Sequence, residues 1–194
     1  MNDAQIIDGC ARHDRRSQQE LYNKYSRFLL GVCLRYASDK AEAEDILQEV
    51  FLRIYFNITE YSGIGSFTGW LRKVAINTAI THYHKYLKHR YHEDIDEYIS
   101  VETGAASFEE DFFTSDELYK ALNALPSGYR TVFNLYAVEG YKHKEIAEML
   151  NIDTNTSKSQ YSRAKAVIRG KLEKLRKLKN SYSGEIADNE KQTD

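Results

Sequence analysis

Residues 140–170 read GYKHKEIAEMLNIDTNTSKSQYSRAKAVIRG, and this stretch decides the fold of the C-terminal part of the chain. Ile146, Ala147 and Leu150 share one side of a first amphipathic helix. Asn151, a residue that tolerates a left-handed backbone, is placed to end that helix. Thr154 or Asn155 is expected to cap a second helix, whose free backbone N–H groups would suit a DNA phosphate. On that second helix Tyr161, Ala164 and Ile168 follow i, i+3, i+7 and face the core. Ser159, Ser162, Arg163 and Arg169 then point away from it, with Lys158 on the flank. Two surface helices of an all-α protein are the plainer reading. Cap, turn and a short basic face together instead match a helix-turn-helix, whose second helix enters the major groove of DNA.

Around this stretch the chain has 194 residues with 42% hydrophobic and 29% charged residues. A single Pro and ten Gly favour helix throughout. No apolar run approaches the ~20 residues of a membrane span, and the opening MNDAQIIDGCARHDRR lacks the apolar core of a signal peptide. Cys10 and Cys33 form no C-x-x-C pair and read as buried free thiols. The expected location is cytoplasmic.

The net charge of −2 conceals a strong segregation. Residues 1–92 carry 13 Lys and Arg against 10 acids, and residues 118–180 carry 13 against 5. Residues 93–117 carry 10 acids and no Lys or Arg, and residues 181–194 carry 4 acids and one Lys. Two lobes are thus joined by an acidic linker (93–117), with a short helical turn expected around Phe108–Phe113 and a disordered tail at 181–194. The linker reads as a solvating tether or as a nucleic-acid mimic. DNA responds to local field, because the Debye length is about 8 Å at physiological salt. The basic lobe at 118–180 is therefore the duplex-binding candidate.

In the N-terminal lobe Leu21, Tyr25, Phe28, Leu29 and Val32 recur at helical spacing. Asp39 and Glu42 then cap a helix running to about Asn57, with Ala43, Ile46, Leu47, Val50, Phe51, Ile54 and Tyr55 as its apolar stripe. At about 100° per residue the opposite face shows Asp45, Gln48, Glu49 and Leu52, with Glu42 at its edge. An outward Leu among acids suits a protein-docking patch. After YSGIG, Ser66 caps a helix SFTGWLRKVAINTAITHYHKYLKHR. Arg72, Lys73, Asn77, His84 and Lys85 lie among Tyr83, Tyr86 and Tyr91, a mixture suited to unstacked bases. Phe67 and Trp70 are candidates for core as well as for contact. His82 and His89 could share a helix face, as could His89 and His92, but His82 and His84 cannot and no Cys is nearby, so no metal or cofactor is expected.

Three segments in this order carry a family resemblance: QELYNKYSRFLLGVCLRYASDKAEAEDILQEVFLRIY, GSFTGWLRKVAINTAITHYHK, and ALPSGYRTVFNLYAVEGYKHKEIAEMLNIDTNTSKSQYSRAKAVI. The chain resembles an extracytoplasmic-function (ECF) sigma factor, a promoter-recognition subunit of RNA polymerase. The resemblance implies an all-α fold of two small helical domains, sigma domain two and a helix-turn-helix sigma domain four, on a flexible linker. It implies docking on core polymerase through Glu42, Asp45, Gln48, Glu49 and Leu52. The minus-10 element would be melted and read by Ile64, Gly65, Ser66, Phe67, Arg72, Lys73, Asn77 and His84, with a flipped base held by the loop. The minus-35 element would be read by Thr156, Lys158, Ser159, Ser162, Arg163 and Arg169. An anti-sigma partner is implied too. Lys142 stands where the family often has a capping Ser or Thr, at a cost of about 1 kcal/mol. Asn151 stands where Gly is common, and the loop YSGIGSF carries less charge than many, so no base preference transfers.

No Ser/His/Asp set, Gly-rich phosphate loop or carboxylate pair emerges, so neither an enzyme nor a small-molecule substrate is expected. Two rivals use only part of these features. A dimeric helix-turn-helix regulator needs no AEDILQEVF face, and an anti-sigma or adaptor protein would act through its acidic linker.

Overall fold

The computed structural model describes residues 1–90 and 113–190. The acidic linker from 93 to 112, nearly all of the turn expected at 108–113, Tyr91, His92 and the last four residues lie outside the described residues. The fold is all-α, and the chain divides into two compact units, Met1–Ile95 and Asp96–Asp194. Among the described residues no helix is long and apolar enough to cross a membrane.

The first unit is built from α1 (Asp3–Ala11), α2 (Arg15–Cys33), α3 (Lys40–Asn57), a 3-10 turn (Ile58–Glu60) and α4 (Phe67–Arg90). Each start has a chemical cause. Asp14 accepts the Ser17 N–H at 2.8 Å, and Asp39 accepts that of Glu42 at 2.8 Å. Ser66 Oγ accepts from Gly69 N–H at 3.0 Å. The first helix, α1, is additional to the elements expected above; it opens on a reciprocal Asn2–Gln5 capping box. Gly9 lets α1 press onto α2, since a Cβ there would fall 1.9 Å from Ser17 Oγ.

Leu21, Leu29 and Val32 of α2, Ile46, Val50 and Ile54 of α3, and Leu71 and Ala75 of α4 are buried together with Ile6 of α1. Phe28 instead lies at the edge of exposure. Cys10 and Cys33 are buried free thiols. Burial pushes both up, Cys10 to about 11 and Cys33 to about 12, so both stay protonated and unreactive.

The second unit contains α5 (Ser115–Asn123), α6 (Ser127–Phe133) running into a π turn (Asn134–Val138), α7 (His143–Leu150) and α8 (Thr154–Glu190). Thr114 and Glu117 form a capping box, which starts α5 inside the last residues of the expected linker. Helical backbone continues to Glu190, through most of the stretch expected as a disordered tail. Ala121, Leu125, Ala164, Ile168 and Leu172 form the core cluster, flanked by Phe113, Tyr129 and Phe133.

Between α7 and α8 the chain turns through Asn151 at φ 53°, ψ 49°, and the Ile152 N–H returns to the Ala147 carbonyl at 3.0 Å. The cap of α8 is Asp153, not Thr154 or Asn155: its carboxylate accepts the Asn155 N–H at 2.6 Å, which places both expected caps inside the first turn. Lys142 provides no acceptor at the start of α7, but its own N–H is taken by the Glu145 carboxylate at 2.7 Å. His143 locks the two helices together. Its Nδ1 lies 3.0 Å from Oγ of the buried Ser157, and its ring stacks on Tyr136 at 4.2 Å. Tyr161 completes the group, 4.5 Å from Tyr136.

Asp153→Ala should therefore cost about 1 kcal/mol in a denaturant melt of the second unit, whereas Thr154→Ala should be near neutral. A second expectation follows from His143, whose pKa is lowered from 6.5 by burial and then by Lys158. The folded chain binds fewer protons there than the unfolded chain, so stability falls as pH drops through 6.5. His143→Gln should reduce the difference between denaturant midpoints at pH 7.5 and 5.5; an unchanged difference would exclude His143 as a source of it.

Candidate polymerase and nucleic-acid interfaces

On α3 the residues opposite the core separate into two groups. Asp45 and Gln48 are exposed, and Leu52 is 55% exposed. Glu42, half-buried, turns back to the Ser38 N–H at 2.6 Å and to the Ser38 hydroxyl. Glu49 departs from the expected outward face. It is half-buried against α4, where its carboxylate meets His82 Nε2 at 2.6 Å, Arg53 at 2.5 Å and Lys85 at 3.5 Å. Burial works to raise the Glu49 pKa, but Arg53 and His82 prevail and hold it below the usual carboxylate range. The cause is angular: Glu49 sits at the α4-side edge of the stripe, one turn from Arg53.

Beside the exposed stripe a groove of about 700 Å³ runs between α2 and α3. Tyr22, Arg27 and Leu30 of α2 face Leu47, Gln48, Phe51 and Leu52 of α3 across it. Spacing along α3 alone gave no sign of the α2 contribution. Phe56 is a second omission from the sequence reading: it is 79% exposed and lies one turn beyond Leu52.

The loop before α4 holds Ile64 86% exposed between Gly63 at φ 76° and Gly65 at φ 80°. Two left-handed residues in three suit glycine and thrust the intervening side chain outward. The Gly65 carbonyl is fixed by the Tyr61 hydroxyl at 2.9 Å. Phe67, a candidate for core as well as for DNA contact, is 5% exposed. It packs edge-on against Tyr25 at 5.7 Å and stacks with Trp70 at 5.9 Å, so it anchors the loop from inside. Ser66 has its hydroxyl committed to the α4 cap.

Along α4, Lys73 and Asn77 are exposed and stand one turn apart. They line a cleft of about 310 Å³ together with Trp70, Val74, Arg53, Asn57 and Glu60. Arg72, about 100° round the helix from Lys73, does not line it. His84 lies half-buried beyond the cleft, its ring 5.9 Å from Tyr83. Sequence gives no sign that Arg53 and Asn57 line this cleft, because they belong to α3 and meet α4 only in the folded unit.

On α8, Lys158, Ser159, Ser162 and Arg163 are exposed, while Thr156 and Arg169 are half-buried. Ser159 Oγ donates to the Thr156 carbonyl at 3.0 Å. Arg163 donates to the Tyr129 hydroxyl at 3.3 Å, an exposed contact that steadies the guanidinium. Lys165 is drawn over the Tyr161 ring at 4.8 Å.

Known proteins are similar to this chain. The family described as sigma-70 region 2 matches residues 21–88, and sigma-70, region 4 matches residues 115–168. The RNA polymerase sigma-H factor of Pseudomonas aeruginosa is 29% identical over 188 residues, covering 89% of this chain and 95% of that protein. The ECF RNA polymerase sigma-E factor of Haemophilus influenzae is 26% identical, covering 90% and 97%. Among solved structures, the sigma factor RpoE in complex with the anti-sigma factor NepR from Bartonella quintana is similar, with TM-score 0.49 and 19% identity over 80% of this chain and 96% of that one. CnrH in complex with the cytosolic domain of CnrY gives TM-score 0.45 and 16% identity, over 88% and 97%. With region 2 matched on the first unit and region 4 on the second, in that order, the chain belongs to the ECF subfamily of sigma-70 factors.

Proposed function

We propose that this chain is a bacterial sigma factor that binds core RNA polymerase and directs promoter-specific initiation by reading the minus-10 and minus-35 elements. The order of the two family matches on the two units carries the reading. The first unit docks on polymerase through the α3 stripe of Asp45, Gln48 and Leu52, with Glu42 at its edge. Glu49 acts from behind that stripe, by holding α3 to α4.

The first unit also captures the unstacked minus-10 strand. Ile64 and Gly65 form the protruding tip; Ser66 and Phe67 fix its shape. Lys73 and Asn77 present a cation and an amide to a base or phosphate beside the Trp70 ring. Arg72 and His84 contribute charge along the flanks of α4. The second unit reads the minus-35 duplex: Ser159, Ser162 and Arg163 face base edges, and Lys158, Thr156 and Arg169 hold phosphates. The protein contributes binding and the polymerase contributes catalysis. A cytoplasmic location and an anti-sigma protein as a further partner accompany this role.

The direct test adds the purified protein to core polymerase and a library of promoter fragments. Specific run-off transcripts are expected; none, together with no association with core enzyme, would refute the reading. A dimeric duplex-binding regulator would instead bind its site tightly without polymerase. Leu52→Asp should abolish core binding and leave the melting curve unchanged, because the side chain is more than half exposed. Arg163→Ala should relax minus-35 selectivity; an equal loss on all sequences would demote it to a phosphate contact.

A further inference from the structure

We propose that the polymerase-docking surface continues past Leu52 to Phe56, and that these two side chains form one apolar anchor for a helical element of core polymerase. The inference rests on the reading of α3 as the docking helix. Phe56 is 79% exposed, close to the state of a side chain in free solution. A lone exposed apolar residue means little. Phe56, however, lies at i+4 from Leu52, itself 55% exposed, and i, i+4 residues are neighbours on a helix surface. On the helical wheel Phe56 falls about 20° from Asp45 and about 40° from Leu52, within the same stripe. The apolar surface continues sideways into the α2–α3 groove through Tyr22, 44% exposed.

Charge gives the stripe a direction. Its N-terminal end carries the exposed Asp45; Glu44, about 100° round the helix, is paired with Lys40 at 3.4 Å. Toward its C-terminal end Arg53 is paired with Glu49 at 2.5 Å, and Arg27 faces the adjoining groove from α2. The surface is therefore acidic at one end and apolar at the other. It fits an amphipathic partner helix with basic residues facing Asp45 and apolar residues facing Leu52 and Phe56. Such a partner covers both apolar side chains in one contact, where an anchor is most effective.

The test measures affinity for cognate core polymerase by titration of the labelled full-length protein: wild type, Leu52→Asp, Phe56→Asp, Phe56→Gln and Phe56→Leu. Phe56→Asp and Phe56→Gln should each weaken binding by about tenfold or more, and Phe56→Leu should restore most of it. Thermal melts check the fold, and Phe56→Gln serves if the charged variant lowers the melting temperature. Wild-type affinity in Phe56→Asp and Phe56→Gln, with Leu52→Asp inactive, would overturn the extension and leave the docking reading intact. Wild-type affinity in Leu52→Asp as well would overturn the docking reading itself.

Discussion

The first unit depends on the burial of one face of α3. That helix packs on α2 and α4 through Ile46, Val50 and Ile54, each close to zero exposure. Burying three such side chains contributes roughly 1.5–3 kcal/mol apiece, which leaves the helix no rotational freedom about its axis. A helix fixed in this way offers one remaining stripe to a partner, and that stripe carries Asp45, Gln48, Leu52 and Phe56. The proposed docking surface is thus set by the core behind it. Rotation by one residue would bury Asp45 or expose Val50, either of which the unit resists strongly.

Glu49 sits at the seam between this stripe and α4. Its pairing with His82 and Lys85 joins α3 to α4, while Arg53, on α3 itself, holds the carboxylate in place beside the cleft lined by Lys73 and Asn77. These partners are still touched by solvent, so their value lies in orientation more than in stability. Arg53 has two duties, since it pairs with Glu49 and lines the cleft. The proposed docking stripe on α3 and the Lys73–Asn77 cleft beside α4 therefore share a rigid wall.

Much of this was legible from sequence, wherever a local chemical signal coincided with a periodic one. The limits of α3 followed from Asp39 and Glu42 ahead of a 3.6-residue stripe, and the end of α7 from Asn151 after Leu150. Legibility failed where several residues competed for one role. The run NIDTNT offers Asn, Asp and Thr as caps, and only the backbone geometry selects Asp153. Phe67 is ambiguous for another reason: a ring before a basic helix can face a base or the core, and Tyr25, 42 residues earlier in the chain, decides for the core. The cleft lining from Arg53 and Asn57, and the groove lining from Tyr22 and Arg27, are tertiary facts with no periodic trace.

In the proposed function the two units divide affinity from selectivity by different physics. In the second unit a surplus of bases sits on and around α8, so attraction to duplex phosphate is long-ranged within a Debye length and falls with salt. The minus-10 loop carries no charge between Tyr61 and Phe67. Its tip is an isoleucine held out by two left-handed glycines, and its neighbours are backbone groups fixed by Tyr61. Such a tip gains nothing from an intact duplex, whose outer surface is phosphate. It gains from an unstacked base, which offers an apolar face to Ile64 and polar edges to the backbone. On the proposed reading, discrimination at the loop follows strand separation, and the charge that attracts DNA lies elsewhere on the molecule.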